Sequence, residues 1–328
     1  MEKINILITA ASRKVALVKG FVELKNRFEF MGKVIAVDCE PLSPALHFAD
    51  DFYIVPLIED RNYFPSLEKI MEKERITLVI PTMDLELPLW AERFMAYKER
   101  GIIVACSGKK AAEISNDKMK TYEFFAENSI KTPETWNKEE ILNLTRYDFP
   151  LFLKPRFGRG SINCYKVSNE EELFFYLKRV EEPVIQQYIR GQEFTVDLIS
   201  DFRSNVLSIV PRKRLTVRAG ISDRGQTFYD EGIIKTSKLI AEKLGIRGAA
   251  NIQGFITDNS EVFFTEINPR FSGGIQLTKA AGVNFMEILL RLTAGEKINP
   301  FIGKFEKGLY MSSFEDSIFL RENSLKRK

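Results

Sequence analysis

The sequence predicts an α/β domain followed by an α+β domain, and three observations carry that prediction. The length of 328 residues suits two domains at roughly 150 residues each. Residues 1–110 alternate short β-branched runs with amphipathic stretches, the pattern of strands buried in a parallel sheet with helices on its faces. From about residue 111 the texture changes to alternating, antiparallel-looking strands with fewer helices between them.

In the first domain the expected strands are Ile4–Thr9, Val34–Asp38, Phe52–Val55, Leu78–Pro81 and Ile102–Cys106. Between them, Val15–Leu24 and Tyr63–Met71 place apolar residues at helical spacing, as in Phe64, Leu67, Ile70 and Met71. Strand, helix, strand, helix is the signature of a doubly wound sheet. In the second domain, helical patterns at 111–128 and 170–180 flank a strand at Pro150–Pro155, a glycine-rich loop and a strand at Ile162–Val167. Further strands are expected at Val184–Tyr188, Phe194–Ser200, Val206–Val210, Asn251–Thr257 and Glu261–Ile267, with one helix, Ile233–Leu244, closed by Gly245. The domains are therefore drawn at 1–110 and 111–305, the latter divided into subdomains 111–185 and 186–305, with 306–328 as a C-terminal extension.

Composition excludes several classes. Lysine and arginine exceed aspartate and glutamate by only +3, too little for a polyelectrolyte surface, so no nucleic acid is expected. Cys39, Cys106 and Cys164 stand far apart without a CxxC, and with one histidine, His47, they make neither a zinc cluster nor a disulfide framework. A reducing, cytoplasmic location fits best. No run of 18 apolar residues exists and no secretory leader is expected, so no membrane is implied. His47, within Ala45–Ala49, reads as a packed surface histidine.

The first strand leads into Thr9-Ala10-Ala11-Ser12-Arg13-Lys14, where a dinucleotide fold carries glycines that admit a pyrophosphate. None is present, so nicotinamide and flavin are not expected. Arg13 can meet an anionic substrate at the helix start, or simply stand in solvent. Lys154 ends a buried strand and is followed by Arg156-Phe157-Gly158-Arg159-Gly160-Ser161. A point charge beside exposed backbone N–H groups suits a polyphosphate, although a basic hairpin looks similar and GxxxxGK[ST] is missing. Ser115 or Asn116 can cap a helix whose first turn holds Lys118, a charge the helix dipole disfavours there unless an anion shares the place. Val184–Glu193 is an apolar strand that breaks at Gly191, offering backbone groups to an adenine edge and Glu193 to ribose hydroxyls; an ordinary strand and turn reads equally well.

Asn251–Arg270 is the most informative stretch. Two alternating strands meet at Asp258–Glu261, and a turn centred between Asn259 and Ser260 puts Gln253 opposite Glu266, with Asn268 on the same face. Opposed Cβ atoms lie about 4.5–5.5 Å apart, so three oxygen donors converge. An oxygen-only set with few carboxylates suits Mg²⁺ or Mn²⁺ completed by water and nucleotide oxygens. Arg270 follows as a planar cation for a transferred phosphoryl group. The plain alternative is a hairpin with polar residues facing solvent. Pro211–Arg224 reads as a loop with five basic residues, among them Arg218, and a solvated charged loop needs no ligand. Pro81–Glu86 ends a parallel strand, where open sheets bind ligands, so Asp84 or Glu86 is a candidate for holding an amine.

Taken in order, Lys118, Lys154 with its glycine loop, Gln-Gln-Tyr-Ile-x-Gly-x-Glu and the hairpin ending Thr-Glu-Ile-Asn-Pro-Arg resemble the ATP-grasp superfamily. The branch most similar is a single half of the carbamoyl phosphate synthetase large subunit, and the resemblance covers about residues 1–300. It implies a Rossmann-like (pre-ATP-grasp) α/β domain followed by an α+β ATP-grasp domain of two subdomains. It further implies ATP with Mg²⁺ or Mn²⁺. Lys118 and Lys154 would hold the α- and β-phosphates, the loop with Gly158, Gly160 and Ser161 would close over them, and Gln187, Tyr188 and Ile189 would hinge at the adenine. Glu193 would bind ribose, Gln253, Glu266 and Asn268 the metals, and Arg270 the reacting phosphate, with Arg218 facing the acceptor. Gln253 stands where most ATP-grasp enzymes have a carboxylate, which weakens the hold on a second metal.

The expected activity is an ATP-dependent carboxylate–amine ligase acting through an acyl phosphate, with a small-molecule carboxylate and amine as substrates. Two alternatives stand beside it. One is activation of bicarbonate with ammonia, as the resemblance to carbamoyl phosphate synthetase implies. The other is an ATP-binding regulatory module without turnover. A homodimer is left open as the quaternary arrangement.

Overall fold

The computed structural model describes residues 3–158, 160–218 and 220–325. Arg159 of the glycine loop lies outside the described residues, as does Ala219. Strands β1 (Ile4–Thr9), β2 (Met31–Asp38), β3 (Asp51–Ile54), β4 (Ile76–Pro81) and β5 (Ile103–Val104) form a parallel sheet in the order β3-β2-β1-β4-β5. The side chains of β1 alternate between two cores: Ile6 and Ile8 face Leu17 and Phe21 of α1 (Val15–Leu24), while Leu7 faces the other side with Leu67 of α2 (Tyr63–Lys73). Burial on both faces is why these strands carry apolar residues almost without interruption.

The sequence reading places no helix at α3 (Leu87–Glu99), whose Leu87, Trp90 and Tyr97 are buried in that second core. Its apolar residues are spread around the helix rather than gathered on one stripe, which hides the period. The single pattern expected at 111–128 is two helices, α4 (Lys109–Asn116) and α5 (Lys118–Glu127). Asp117 breaks the chain between them and caps α5 by accepting from Met119 N and Lys120 N; Ser115 instead donates back to Ala111 O at 2.7 Å.

A four-stranded antiparallel sheet follows, β6 (Thr135–Trp136), β7 (Leu151–Pro155), β8 (Tyr165–Val167) and β9 (Pro183–Gln187), in the order β6-β9-β7-β8. Helices α6 (Lys138–Leu142) and α7 (Glu170–Arg179) cover it. The strand expected at Ile162–Val167 keeps only its last three residues.

The third sheet has the order β14-β13-β10-β11-β12-β15, built from β10 (Gln192–Ser200), β11 (Val206–Arg218), β12 (Ile221–Thr227), β13 (Gly248–Ile256), β14 (Val262–Asn268) and β15 (Tyr310–Ser312). Residues 211–224, expected as a loop, are a β-hairpin, because β11 runs on through Pro211 to Arg218 and pairs with β12. Helix α8 (Glu231–Leu244) covers one face and ends at Gly245 in the left-handed conformation, as its sequence foretells.

Two helices the sequence reading does not place, α9 (Ile275–Ala280) and α10 (Phe285–Thr293), lock the halves together. Phe271, Ile275, Phe285, Met286 and Leu289 share one core with Leu17 and Phe21 of the first domain and with Ile199, Leu207 and Val210 of the third sheet. The carboxyl ends of the parallel strands are thereby set against the end of β14. Among the described residues no helix is long and apolar enough to cross a membrane.

Candidate functional site

Strands β10 to β14 carry one polar, largely buried face, and period-two alternation with cross-strand pairing sets what lies on it. One row runs Glu266, Gln253, Thr195, Arg212, Thr227, and a second runs Asn268, Asn251, Asp197. At the base of this face Arg212, 3% exposed, donates from Nε to Asp197 Oδ2 at 2.9 Å, and Thr278 donates to the same oxygen at 2.6 Å.

Across from this face stands the glycine-rich loop after β7, and a cavity of about 350 Å³ lies between them, within the size range of ligand sites. Lys118, Lys154, Gly158, Gly160 and Ser161 line it from one side. Gln187, Tyr188, Ile189 and Glu193 line it where the second sheet passes into the third. Gln253, Glu266, Asn268 and Arg270 close the far wall. Residues scattered over 150 positions of sequence thus converge, because the crossing at 188–191 brings the two sheets face to face. Gly191 is required at that crossing: a Cβ there would lie 2.3 Å from the Ile256 carbonyl oxygen.

Lys154 is 7% exposed, and desolvation lowers its ammonium to about 8, against the pull of Glu266. Lys118 donates to the loop carbonyls of Gly158 at 3.1 Å and Arg156 at 3.3 Å. Arg156 is not free for a phosphate, since it forms a bidentate pair with the capping Asp117 at 2.8 and 2.6 Å. Burial raises the Asp117 carboxyl, but Arg156 and the helix N–H groups outweigh it and hold it below the usual range. The loop is therefore pinned at its base.

Arg218 is not brought to the cavity wall. Its guanidinium is exposed and pairs with Glu315. Arg214, from the same basic stretch, lines the cavity instead, with its side chain 5% exposed. Its Nη1 donates to Gln253 Oε1 at 2.9 Å and lies 3.2 Å from Glu193 Oε1, and its Nη2 donates to Gly220 O at 2.9 Å. Burial raises the Glu193 carboxyl, with Arg214 opposing.

Arg270 forms a bidentate pair with Asp84 at 2.8 and 2.7 Å, joining the end of β14 to the loop after β4. Asp84 is thus engaged by a cation rather than open to an amine. Glu86 is fully buried, accepting from Thr9, Tyr63, Trp90 and the Thr82 backbone, so it serves the fold. Arg13 is exposed, whereas Lys14 sits within the fields of Arg270 and Asp84, its ammonium lowered to about 8 by desolvation and then by Arg270. Asp38, at the position where a dinucleotide fold reads a ribose, accepts from Ser12 N at 2.6 Å and so ties down the glycine-free loop. Cys164 lines the cavity, its thiol pushed up by desolvation, and Cys106 is buried with its thiol pushed up to about 12. Both stay as thiols, poor nucleophiles.

The donor set fits a hard divalent cation: Glu266 offers a carboxylate and Asn268 an amide oxygen on one face. Among the described residues no three His, Cys, Asp or Glu cluster as a metal site; beyond Glu266 and Asn268, amide, water or ligand oxygens would complete the coordination.

Residues 6–105 match the family model described as the PylC-like N-terminal domain, and residues 179–316 match that of ATP-grasp in the biosynthetic pathway with Ter operon. A stretch covering 81% of the chain is 28% identical over 284 residues to the carbamoyl phosphate synthase large chain of Clostridium perfringens, and spans about a quarter (26%) of that relative. Among solved structures, the biotin carboxylase domain of Hydrogenobacter thermophilus 2-oxoglutarate carboxylase, a dimer with MgADP, ADP and bicarbonate, superposes with a TM-score of 0.76 at 16% identity, covering 94% of this chain and 74% of that one. The L-amino acid ligase of Bacillus licheniformis gives 0.70 at 20% identity, covering 89% and 75%. These two likenesses show a shared fold. With the ordered motif residues beside that fold, residues 179–316 match an ATP-grasp family model, and the chain is homologous to a portion of the carbamoyl phosphate synthase large chain.

Proposed function

We propose that the protein is an ATP-dependent carboxylate–amine ligase. The observation that carries this reading is the convergence of Lys118, Lys154 and the glycine loop on one wall with Glu266, Asn268 and Arg270 on the other, around a single cavity. The lysines and loop hold the polyphosphate, with the 187–189 segment against the base and Glu193 toward the ribose. The γ-phosphorus leaves its bond to the β-bridging oxygen of ATP and bonds to an oxygen of the substrate carboxylate, releasing ADP. The amine nitrogen then bonds to the acyl carbon as the C–O bond to phosphate breaks, and phosphate departs. Mg²⁺ or Mn²⁺, held by Glu266 and Asn268, would supply charge neutralisation on the transferring group. Arg270 presents a planar cation to the developing charge, and the fold's part is placement rather than nucleophilic attack.

The carboxylate and amine are small molecules met in a cytoplasmic setting, and a second copy of the chain is a candidate partner, as the dimeric Hydrogenobacter domain suggests. Phosphate release from ATP, followed across a panel of carboxylates with and without amines, tests the activity. Release that requires one carboxylate and completes only with an amine supports the ligase. Release with bicarbonate and ammonia alone supports the carbamoyl route, and tight ATP binding without release under any pairing contradicts both.

Lys154 adds a pH signature. Its ammonium must be charged to meet phosphate, and in the free protein that charge is lost as pH rises through about 8. ATP affinity is expected to fall by about tenfold per unit above that point. Calorimetric titration of ATP across pH 6.5–9.5 should show this break in the unmodified chain and lose it in Lys154→Met; an unchanged break in that variant would contradict the assignment.

A further inference from the structure

We infer that this site takes a single divalent cation, held by Glu266 and Asn268, and that the Arg214 guanidinium stands where a second cation would bind. The inference rests on the phosphoryl-transfer reading above.

Gln253 is the cross-strand partner of Glu266, so its amide reaches the same space. Its oxygen is already engaged, accepting from Arg214 Nη1 at 2.9 Å. An arginine cannot give up its proton in a protein, so this oxygen faces a permanent positive charge. Arg214 is held there from three directions, by Gln253, by Glu193 Oε1 at 3.2 Å and by the Gly220 carbonyl at 2.9 Å. A second ion would have to enter against it, and against Lys154 and Arg270 in the same cavity. Paired metal ions sit only about 3.5–4 Å apart, so a second ion beside the first would lie close against these fixed cations. Of the three carboxylates lining this cavity, Asp84 pairs with Arg270 and Glu193 with Arg214, which leaves Glu266 alone.

Arg214 also does what a diffusible ion cannot. Through Gly220 it reaches the turn of the β11–β12 hairpin, and that turn abuts the phosphate loop: a Cβ on Gly220 would lie 3.1 Å from Gly160 Cα. The cation is therefore fixed by the fold beside the metal-ligand strand and linked to the loop across the cavity.

The test counts Mn²⁺ bound to the full-length chain in the presence of β,γ-imido-ATP, by equilibrium dialysis and electron paramagnetic resonance. The unmodified chain should bind one nucleotide-dependent Mn²⁺ with the resolved hyperfine lines of an isolated ion. Gln253→Glu should still bind one, since the new carboxylate pairs with Arg214. Arg214→Met combined with Gln253→Glu should bind two and show the broadened spectrum of a coupled pair, with thermal melting used to verify that it is folded. Two ions in the unmodified chain, or one in the folded double variant, would overturn the inference alone. No nucleotide-dependent Mn²⁺ in the unmodified chain would overturn the phosphoryl-transfer reading beneath it as well.

Discussion

Glu266→Ala should lower turnover by at least ~10²-fold, the loss typical of one removed electrostatic contact to a reacting group. Glu266 is the one carboxylate on the cavity wall not already committed to an arginine, and it sits in the fields of Lys154, Arg214 and Arg270. Without it Lys154 loses the carboxylate that favours its charged form, and a metal–nucleotide complex loses its only anionic protein ligand on β14. The side chain is partly exposed and lies outside the apolar cores, so melting temperature should change little while phosphate release collapses. Release near the unmodified rate in Glu266→Ala would contradict the metal assignment.

Arg270→Met is expected to cost about 10²–10³ in kcat, comparable to the loss of a donor aimed at developing charge. Two roles compete at this residue, because Arg270 both faces the cavity and ties the end of β14 to Asp84. Asp84→Asn separates them: it weakens the tie and leaves the guanidinium charge in place. If Arg270 stabilises the transferred phosphoryl group, Asp84→Asn should be clearly milder than Arg270→Met, and Arg270→Lys should recover part of the rate, limited by loss of the planar fork. Equal losses in Arg270→Met and Asp84→Asn would reduce Arg270 to a domain tie.

The Gln253–Glu266 pair shows how far sequence can be read and where it is right for another reason. The turn centres on Asn259, not between Asn259 and Ser260, so near the turn Gly254 pairs with Phe264 and Phe255 with Phe263. A bulge between Gln253 and Gly254 then absorbs Thr265 and returns Glu266 to face Gln253. Alternation exposes the polar face; the bulge that sets its register leaves no mark in composition.

Arg214 was within reach but obscured. Ser208, Val210, Arg212 and Arg214 share the period of one strand face, yet Pro211 and the density of charge make the stretch look like a loop. Once it is a hairpin, Arg212 and Arg214 are drawn inward and Arg218, beyond register shifts at Arg214–Val217, ends exposed beside Glu315. The Asp84–Arg270 pair spans 186 positions and depends on α9 and α10 docking against the first domain. No local pattern reports such a contact, so Asp84 reads from sequence only as a carboxylate at a strand end.

In the proposed reaction a carboxylate is phosphorylated before any amine arrives: the Cys164 thiol in the cavity is pushed up, Cys106 is buried in an apolar core, and His47 is engaged elsewhere, its ring nitrogen 3.0 Å from Pro41 O. Hydroxylamine in place of the amine tests it most directly. With the correct carboxylate and ATP, a hydroxamate should accumulate in step with ADP and phosphate. Accumulation of AMP and pyrophosphate would contradict it and point to an acyl adenylate instead.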